Sequence, residues 1–218
     1  MKAAPSHRPQ AFTVIELLMM IFTVTMLLVL LFSGVPRVRK QARLKQCTDN
    51  LKQISLAFRI WPGDSSDRLP PQRSSSDGGT MESMLNGQIF PTFQAISNEL
   101  GNPKLLICPS DNRAPATSFS GVTNISISYF FGVDVTEAEP YFFMVGDRNL
   151  TNGPLTTNRL LPLTTNSAPG WDDTMHNLIG NVALADGSVP TFTIPQLRQA
   201  TANMVSSGSQ FTNRLAFP

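Results

Sequence analysis

The chain has 218 residues with a formal net charge of +2, which suits one membrane segment followed by one soluble domain. Its positive charge is concentrated in residues 1–59, which hold nine of the seventeen Lys and Arg residues beside only two carboxylates. The remainder carries eight basic and thirteen acidic residues. Because nucleic-acid binding needs clustered positive charge, this mildly acidic part excludes a nucleic-acid partner.

A long apolar run dominates the first part of the chain. Between Phe12 and Val35 the only ionisable side chain is that of Glu16. As a helix these residues rise about 36 Å, enough for a hydrocarbon core of about 30 Å. A secretory signal is shorter and ends in small residues, whereas this run ends in bulky ones. The sequence therefore predicts that residues 12–36 form a transmembrane helix that stays in the mature protein.

A second, amphipathic helix segment is predicted over residues 37–62. Pro36 is expected to kink or interrupt the helix. Basic residues between Arg37 and Lys45 fit either lipid headgroups or a solvated helix face. Beyond them one apolar stripe recurs at steps of three and four, and Pro62-Gly63 ends the helix. The stripe is expected to pack on the soluble domain, residues 63–218; its members are Leu44, Cys47, Leu51, Ile54, Phe58 and Trp61.

The soluble domain shows short apolar segments separated by turn residues, which is typical of an α+β fold. The pattern predicts one helix over Pro91–Leu100, with Gly101 as its stop. Residues 64–79 and 150–170 are expected to be loops. A hairpin with a type I′ turn is predicted at Asp186-Gly187. The other predicted strands are Lys104–Cys108, Ile125–Phe131 and Tyr141–Val145, with residues 181–185 and 188–192 flanking the hairpin turn.

Three sequence features carry a resemblance to a known family. Ala11 followed by Phe12-Thr13-Val14-Ile15-Glu16 resembles the processing site of type IV prepilins and pseudopilins, with alanine in place of the more usual glycine. The segments 47–54 (CTDNLKQI) and 108–111 (CPSD) are similar to segments of a pseudopilin-like subgroup. That subgroup takes its name from a terminal H-x9-DG signature, and here nine residues separate His176 from Asp186-Gly187.

The resemblance implies a pilin-like α+β fold, with a long N-terminal helix packed on a small antiparallel sheet. It further implies that prepilin peptidase removes residues 1–11 by cutting between Ala11 and Phe12, and methylates the new terminus. Glu16 would then pair with the α-ammonium of Phe12 in a neighbouring subunit as helices assemble. The alternatives are a neutral Glu16 or one that reaches the membrane interface.

The implied function is structural rather than enzymatic. The chain would be a pseudopilin or pilin subunit of a type II secretion or type IV pilus-like system, with sibling subunits and inner-membrane lipid as partners. It would cross the bacterial inner membrane once, with its ectodomain in the periplasm or in an extracytoplasmic fibre. A count of flanking basic residues favours the opposite orientation. The specific processing pattern outweighs that count.

The two cysteines, Cys47 and Cys108, lie far apart in sequence and lack metal-ligand spacing. In an oxidising compartment they can form a disulfide, and the alternative is a pair of buried free thiols. Cys47 lies on the apolar stripe of the helix, where a partner in the soluble domain can reach it.

His176 and Asp186 are candidate metal ligands only if the chain turns between them. Fully extended, the ten residues span about 33 Å. A second turn at Gly180-Asn181 would bring the two side chains together, and Asp172 and Asp173 could then add oxygen ligands, which favours Ca²⁺ over Zn²⁺. Otherwise no cofactor is expected, and His176 serves as a structural hydrogen-bond donor.

The remaining features add one turn and one competing function. Residues 147–149 (Asp-Arg-Asn) are predicted to form a turn, with a ligand contact as the alternative. No catalytic constellation stands out. The competing function is a membrane-anchored binding module, in which the leader serves only for export and the ectodomain captures a glycan or another ligand.

Overall fold

The computed structural model describes residues 12–61, 68–136, 138–164, 166–206 and 213–218. The predicted leader, Ala11 and the Pro62-Gly63 helix stop lie outside these residues. The chain divides into two units, Met1–Ala42 and Arg43–Pro218. Helix α1 runs without interruption from Val14 to Ile60, with Pro36 inside it.

The first part of α1 is apolar on every side. Its large hydrophobic side chains up to Phe32 are between 45% and 76% exposed. The most apolar window has a mean hydropathy of 2.7, and none of its residues is buried. The described chain thus contains one helix, near the N-terminus, that is long and apolar enough to cross a membrane.

The last part of α1 carries the predicted stripe, and here the expectation is confirmed. Cys47, Leu51, Ile54 and Phe58 are fully buried, and Leu44 and Trp61 are partly buried. The Phe58 ring lies 4.6 Å from that of Phe131 and 5.7 Å from that of Phe93, measured between centroids. These rings attach the helix to the rest of the second unit.

Most strands of the second unit belong to one six-stranded sheet with the order β4-β8-β1-β2-β6-β7. A separate pair consists of β3 and β5. Every strand pairing in the described residues is antiparallel. A long N-terminal helix and an antiparallel sheet confirm the α+β class. The strands are β1 Tyr129–Gly132, β2 Phe143–Asp147, β3 Leu150–Thr151, β4 Leu160–Leu163, β5 Gly170–Trp171, β6 Ile179–Leu184, β7 Thr191–Thr193 and β8 Asn213–Ala216.

The helical segments between α1 and the sheet differ from the predictions. The single helix expected over Pro91–Leu100 is two short helices, α3 (Phe90–Ala95) and α4 (Ser97–Leu100), which follow α2 (Met81–Leu85). Gly101 does end α4, with a left-handed φ of 69°. The strand expected at Lys104–Cys108 is wrong, because a 3₁₀ helix occupies Pro103–Leu106.

Two further predictions about the sheet need correction. The strand expected to start at Ile125 starts at Tyr129, after a 3₁₀ turn over Asn124–Ser126. Residues 150–170 are not a plain loop, since they contain β3 and β4 and the start of β5. Strand β8 was not predicted, and it lies between β4 and β1.

The predicted hairpin at Asp186-Gly187 is confirmed, but its turn is not type I′. Strands β6 and β7 pair with Gly180 opposite Phe192. The Leu184 amide donates to Ser188, and the Gly187 amide donates back to Leu184. Gly187 has a φ of 87°, whereas Asp186 is not left-handed. A three-residue loop with a glycine bulge fits this pattern. Helix α5 (Ile194–Ser206) follows directly.

Candidate metal centre

Four side chains from distant parts of the sequence meet in the interior of the second unit. Cys47 comes from α1, Cys108 follows the 3₁₀ helix, Asp147 ends β2, and His176 lies between β5 and β6. We call these four residues the Cys-Asp-His cluster. All four are buried, and His176 is the most exposed of them at 8%.

The donor atoms of the cluster lie close enough to share one ion. The Cys47 Sγ is 2.9 Å from Asp147 Oδ1, and the Cys108 Sγ is 3.2 Å from His176 Nε2. His176 Nε2 is also 3.5 Å from Asp147 Oδ2. One ligand atom from each residue lies within 4.8 Å of every other, so the group has the size of a metal site.

Asp147 is fixed by residues outside the cluster. Its Oδ2 accepts two hydrogen bonds from Asn181, from the backbone amide at 2.7 Å and from Nδ2 at 3.0 Å. The Asn181 Oδ1 in turn accepts from the hydroxyls of Thr48 and Thr191. These bonds leave Oδ1 facing Cys47 and fix the direction of the carboxylate.

The segments carrying Cys108 and Asp147 are joined by a second contact. Arg148 donates from Nε and Nη2 to the two carboxylate oxygens of Asp111, each at 2.7 Å. The Asp111 side chain is fully buried, and that of Arg148 is 21% exposed. Such bidentate pairing fixes geometry as well as adding energy. Residues 148–149 do form the predicted turn, between β2 and β3, and Asp147 before it ends β2. This short segment thus supplies both Asp147 of the cluster and Arg148 of the ion pair.

The backbone after His176 adopts an uncommon conformation. Asn177 and Leu178 have φ values of 55° and 62°. Left-handed backbone costs a residue with a side chain about 1–2 kcal/mol, and such residues concentrate at functional sites. Two in succession turn the chain from His176 into β6 and hold the imidazole toward the other three residues.

The pKa values of the cluster depart from their ordinary ones because its groups share one buried space. Burial raises the pKa of the Cys47 thiol well above its usual value, and contact with Cys108 and the charge of Asp147 add to this. Hydrogen bonds from Cys47 and His176 lower the pKa of Cys108 to about 7, against the opposing effect of burial. Cys108 is thus the thiol that ionises first.

The two remaining members of the cluster both have raised pKa values. Burial raises the pKa of the Asp147 carboxyl despite its hydrogen bonds. For His176 burial acts to lower the pKa, but the bond to Cys108 and the charge of Asp147 outweigh it. Both shifts arise from the interactions of these side chains within one buried space.

The structure brings Cys47 and Cys108 together, as the disulfide prediction required. Both are free thiols here. Each sulfur instead contacts another member of the cluster, and the Cys47 Sγ also lies 3.4 Å from the Tyr129 hydroxyl. The proximity is compatible with a disulfide or with a shared ion.

His176 and Asp186 do not form the expected pair, because each contacts other residues. The turn proposed at Gly180-Asn181 is wrong, because both residues lie inside β6. His176 groups with Cys47, Cys108 and Asp147. Asp186 lies in the hairpin turn, where its carboxylate accepts from the Ser188 amide and its carbonyl accepts from Arg59. Asp172 bonds to Thr174 beside it. The donors around His176 thus include two sulfurs, unlike an oxygen-rich Ca²⁺ site.

The sequence predicts Asp147 in a turn, with a ligand contact as the alternative, but it does not group Asp147 with the cysteines and His176. The signal present was an acidic residue directly after a buried apolar strand, a position that places a carboxylate at the edge of the core. Nothing in its distance from the cysteines or His176 indicates a shared site, because the contact depends on how β2 and β6 pair.

Residues at the start of α1 form a capping box. The Thr13 amide and hydroxyl donate to the Glu16 carboxylate at 2.9 Å and 2.8 Å, and the Glu16 amide lies 3.4 Å from the Thr13 hydroxyl oxygen. This reciprocal arrangement satisfies amide groups at a helix start. Glu16 therefore has a role within its own chain besides the predicted contact with another subunit.

A groove on the second unit bears on the predicted binding module. It has a volume of about 620 Å³, and its lining includes Met81, Met84, Leu85 and Phe142. The ion pair between Asp134 and Arg214 lies at its wall. Gln72, Thr136 and Glu139 also line the groove, so it combines apolar surface with a few polar groups, as ligand pockets commonly do.

Comparisons of the chain with protein-family models, with curated proteins and with solved structures gave no match.

Proposed function

We propose that the protein is a pilin-like structural subunit, anchored in the bacterial inner membrane by α1 and assembled with sibling subunits through that helix. The observation that carries the proposal is the exposed apolar surface over Val14–Phe32, which begins at a single carboxylate. Such a surface needs an apolar environment, which lipid and neighbouring helices supply.

The continuity of α1 adds support. One helix carries an all-round apolar part and, beyond it, a stripe buried in the second unit. A subunit of this kind uses the first part for the membrane and for helix contacts, and the second to carry its domain. The motif at Ala11–Glu16 would serve as the processing site, at which prepilin peptidase cuts before Phe12. The ectodomain then lies in the periplasm or in a secretion or pilus-like fibre, without enzymatic activity.

The capping box sharpens what Glu16 must do for this proposal. Its carboxylate accepts two bonds from Thr13, so a loss of assembly in Glu16→Ala can arise from a weakened helix start. Glutamine also serves in a capping box but carries no charge. Glu16→Gln therefore separates the cap from the ion pair with the amino terminus of another subunit.

The test uses the full chain in a bacterial host that has a prepilin peptidase. Mass spectrometry of the mature protein is expected to give a methylated Phe12 as the first residue. Two differently tagged copies should co-purify after detergent extraction. Glu16→Gln and Glu16→Ala should both abolish this co-purification, while Thr13→Ala should retain most of it.

Two results would contradict the proposal. A mature protein that begins at Met1, or that is cut near Gly34, would show that prepilin peptidase does not cut before Phe12. If Glu16→Gln co-purifies as well as the unaltered chain, then Glu16 acts only as a cap, and assembly does not use its charge.

A further inference from the structure

We propose that the Cys-Asp-His cluster binds one Zn²⁺ ion, which fastens the C-terminal part of α1 to the sheet. The site would be structural, and the inference does not depend on the proposed function. It follows from the donor atoms, their distances and their burial.

The donor set selects the metal. Thiolate sulfur, imidazole nitrogen and carboxylate oxygen are the three ligand types of protein-bound zinc, whereas Ca²⁺ and Mg²⁺ take oxygen alone. The cluster offers two sulfurs, one nitrogen and one oxygen. Two sulfurs among four ligands favour Zn²⁺ over harder divalent ions.

The distances fit four ligands around one ion. Zinc–ligand bonds of about 2.0–2.3 Å in a tetrahedron place neighbouring ligand atoms about 3.3–3.8 Å apart. The His176 Nε2 lies 3.2 Å from the Cys108 Sγ, close to this range, and one ligand atom of each residue lies within 4.8 Å of every other. The Cys47 Sγ and Asp147 Oδ1, at 2.9 Å, need to separate by about half an ångström to reach this range.

The surroundings of Asp147 match those of a metal-bound carboxylate. Ligating carboxylates are usually held by further hydrogen bonds that fix their direction. Asn181 holds Oδ2 through two such bonds and leaves Oδ1 available. The bidentate ion pair between Arg148 and Asp111 joins the segments that carry Asp147 and Cys108.

Two atoms of the cluster each face two polar partners. The His176 Nε2 faces both a sulfur and a carboxylate oxygen, yet it can carry only one proton. The Cys47 Sγ faces both Asp147 and Tyr129. A dication at the centre would compensate the charge of the buried Asp147 carboxylate and contact one ligand atom of each of the four residues at once.

The site is closed, which indicates a structural role. All four ligands come from the protein and are buried, so no coordination position remains for water or substrate. The ligands lie in α1, before β1, at the end of β2 and before β6. A single ion would therefore connect the helix with the segments that build the centre of the sheet.

A disulfide between Cys47 and Cys108 is the competing outcome, and it is chemically exclusive. A bonded pair of sulfurs is no longer a pair of thiolate ligands, so the oxidised protein would lose the ion. The experiment must therefore record the state of the thiols together with the metal content.

The experiment uses the full chain, purified in detergent from bacterial membranes with free thiols trapped by alkylation in a parallel sample. The unaltered protein is expected to retain about one zinc per chain by elemental analysis, in line with four ligands around one ion. After chelation, its unfolding temperature should fall, and added Zn²⁺ should restore it. With Co²⁺ in place of zinc, the spectrum should show a thiolate charge-transfer band and the visible bands of a tetrahedral site.

Variants separate ligands from their neighbours. Cys108→Ser and His176→Gln should each lose at least tenfold in zinc affinity. Tyr129→Phe is the matched control, because it alters a buried neighbour of Cys47 without removing a ligand, and it should keep the full metal content. Asp186→Asn, which alters the signature outside the cluster, should do the same.

The outcome that overturns the proposal does not require a folded variant. Unaltered protein that holds no zinc, or that holds iron or copper instead, contradicts it. So does a Co²⁺ spectrum without a thiolate band. A Cys47–Cys108 disulfide in protein trapped before purification would assign the cysteines to that bond.

Discussion

Helix α1 presents two environments along one continuous element. Up to Phe32 its hydrophobic side chains are exposed on all sides, whereas between Cys47 and Phe58 an apolar stripe is buried on one face. Both parts are helical, so the difference lies in what surrounds them. A helix that is apolar on all sides is stable in lipid or against other helices. A helix with one apolar stripe packs that face on a folded domain.

The two parts also differ in how their polar groups are used. At the start of α1 a polar pair caps the helix within four residues of chain, through Thr13 and Glu16. In the later part, the polar atoms of Cys47, Thr48 and Asn50 contact residues more than 50 positions away. The first region can form from local sequence alone, and the second depends on the folded sheet.

The largest expected effect lies in the packed part of the helix. Phe58→Ala removes a fully buried ring that contacts Phe93 and Phe131, and it should lower the free energy of unfolding by about 3–5 kcal/mol. Leu56→Ala is the matched control, since Leu56 is 57% exposed on the same helix, and it should change this energy by less than about 0.5 kcal/mol. Chemical denaturation of the full chain in detergent measures both. Equal losses would show that the stripe is not the packed face.

The next effect tests the apolar part. Val24→Arg places a charge near the middle of the exposed apolar segment, at a cost of about 2.5–3.5 kcal/mol for membrane insertion. We expect the variant protein to be released from membranes by alkaline extraction. Val24→Leu should stay in the membrane fraction. If Val24→Arg is retained as well as the unaltered protein, then this segment does not lie in lipid.

The smallest effect concerns the contact between the hairpin turn and α1. Gly187 has a φ of 87°, and a Cβ there would lie 2.6 Å from Arg59 Nη1. Gly187→Ala should cost about 1–2 kcal/mol in unfolding free energy through backbone strain, plus a small part from displacing Arg59. Gly153→Ala is the control, because its φ of 83° is similar and no atom lies within 4 Å.

Adding Arg59→Ala isolates the contact. The double variant Gly187→Ala/Arg59→Ala should lose only the strain part, so that its cost relative to Arg59→Ala matches that of Gly153→Ala. A double variant in which the extra cost of Gly187→Ala persists would show that Arg59 does not carry it.

Local and periodic patterns predicted much of the fold. The stripe of α1 follows from its period, and the hairpin at Asp186-Gly187 follows from turn chemistry. The strand predicted over Lys104–Cys108 is wrong because a short apolar run does not distinguish a strand from a helix. The deciding feature was Pro103 after Asn102, whose side chain accepts from the Lys104 amide and starts a 3₁₀ turn.

Only part of the candidate site could be predicted from the sequence. Cys47 on a core-facing stripe predicts a partner in the domain, and Cys108 does lie beside it. The position of Asp147 depends on the register of β2 against β6, where Val145 pairs with Ala183 after an irregularity. That register results from long-range packing, and no motif in the sequence specifies it. His176 was recognised from its spacing to Asp186-Gly187, but its contacts lie elsewhere.

The position of β8 has a consequence for the timing of folding. Strand β8 fills the space between β4 and β1, pairing Leu215 with both Leu161 and Gly132. The six-stranded sheet therefore cannot be complete until residues 213–216 have been synthesised. They follow β1 by more than 80 residues. In the proposed topology the ectodomain would cross the membrane in chain order after the anchor helix, so β1 would keep an open sheet edge until β8 had followed it.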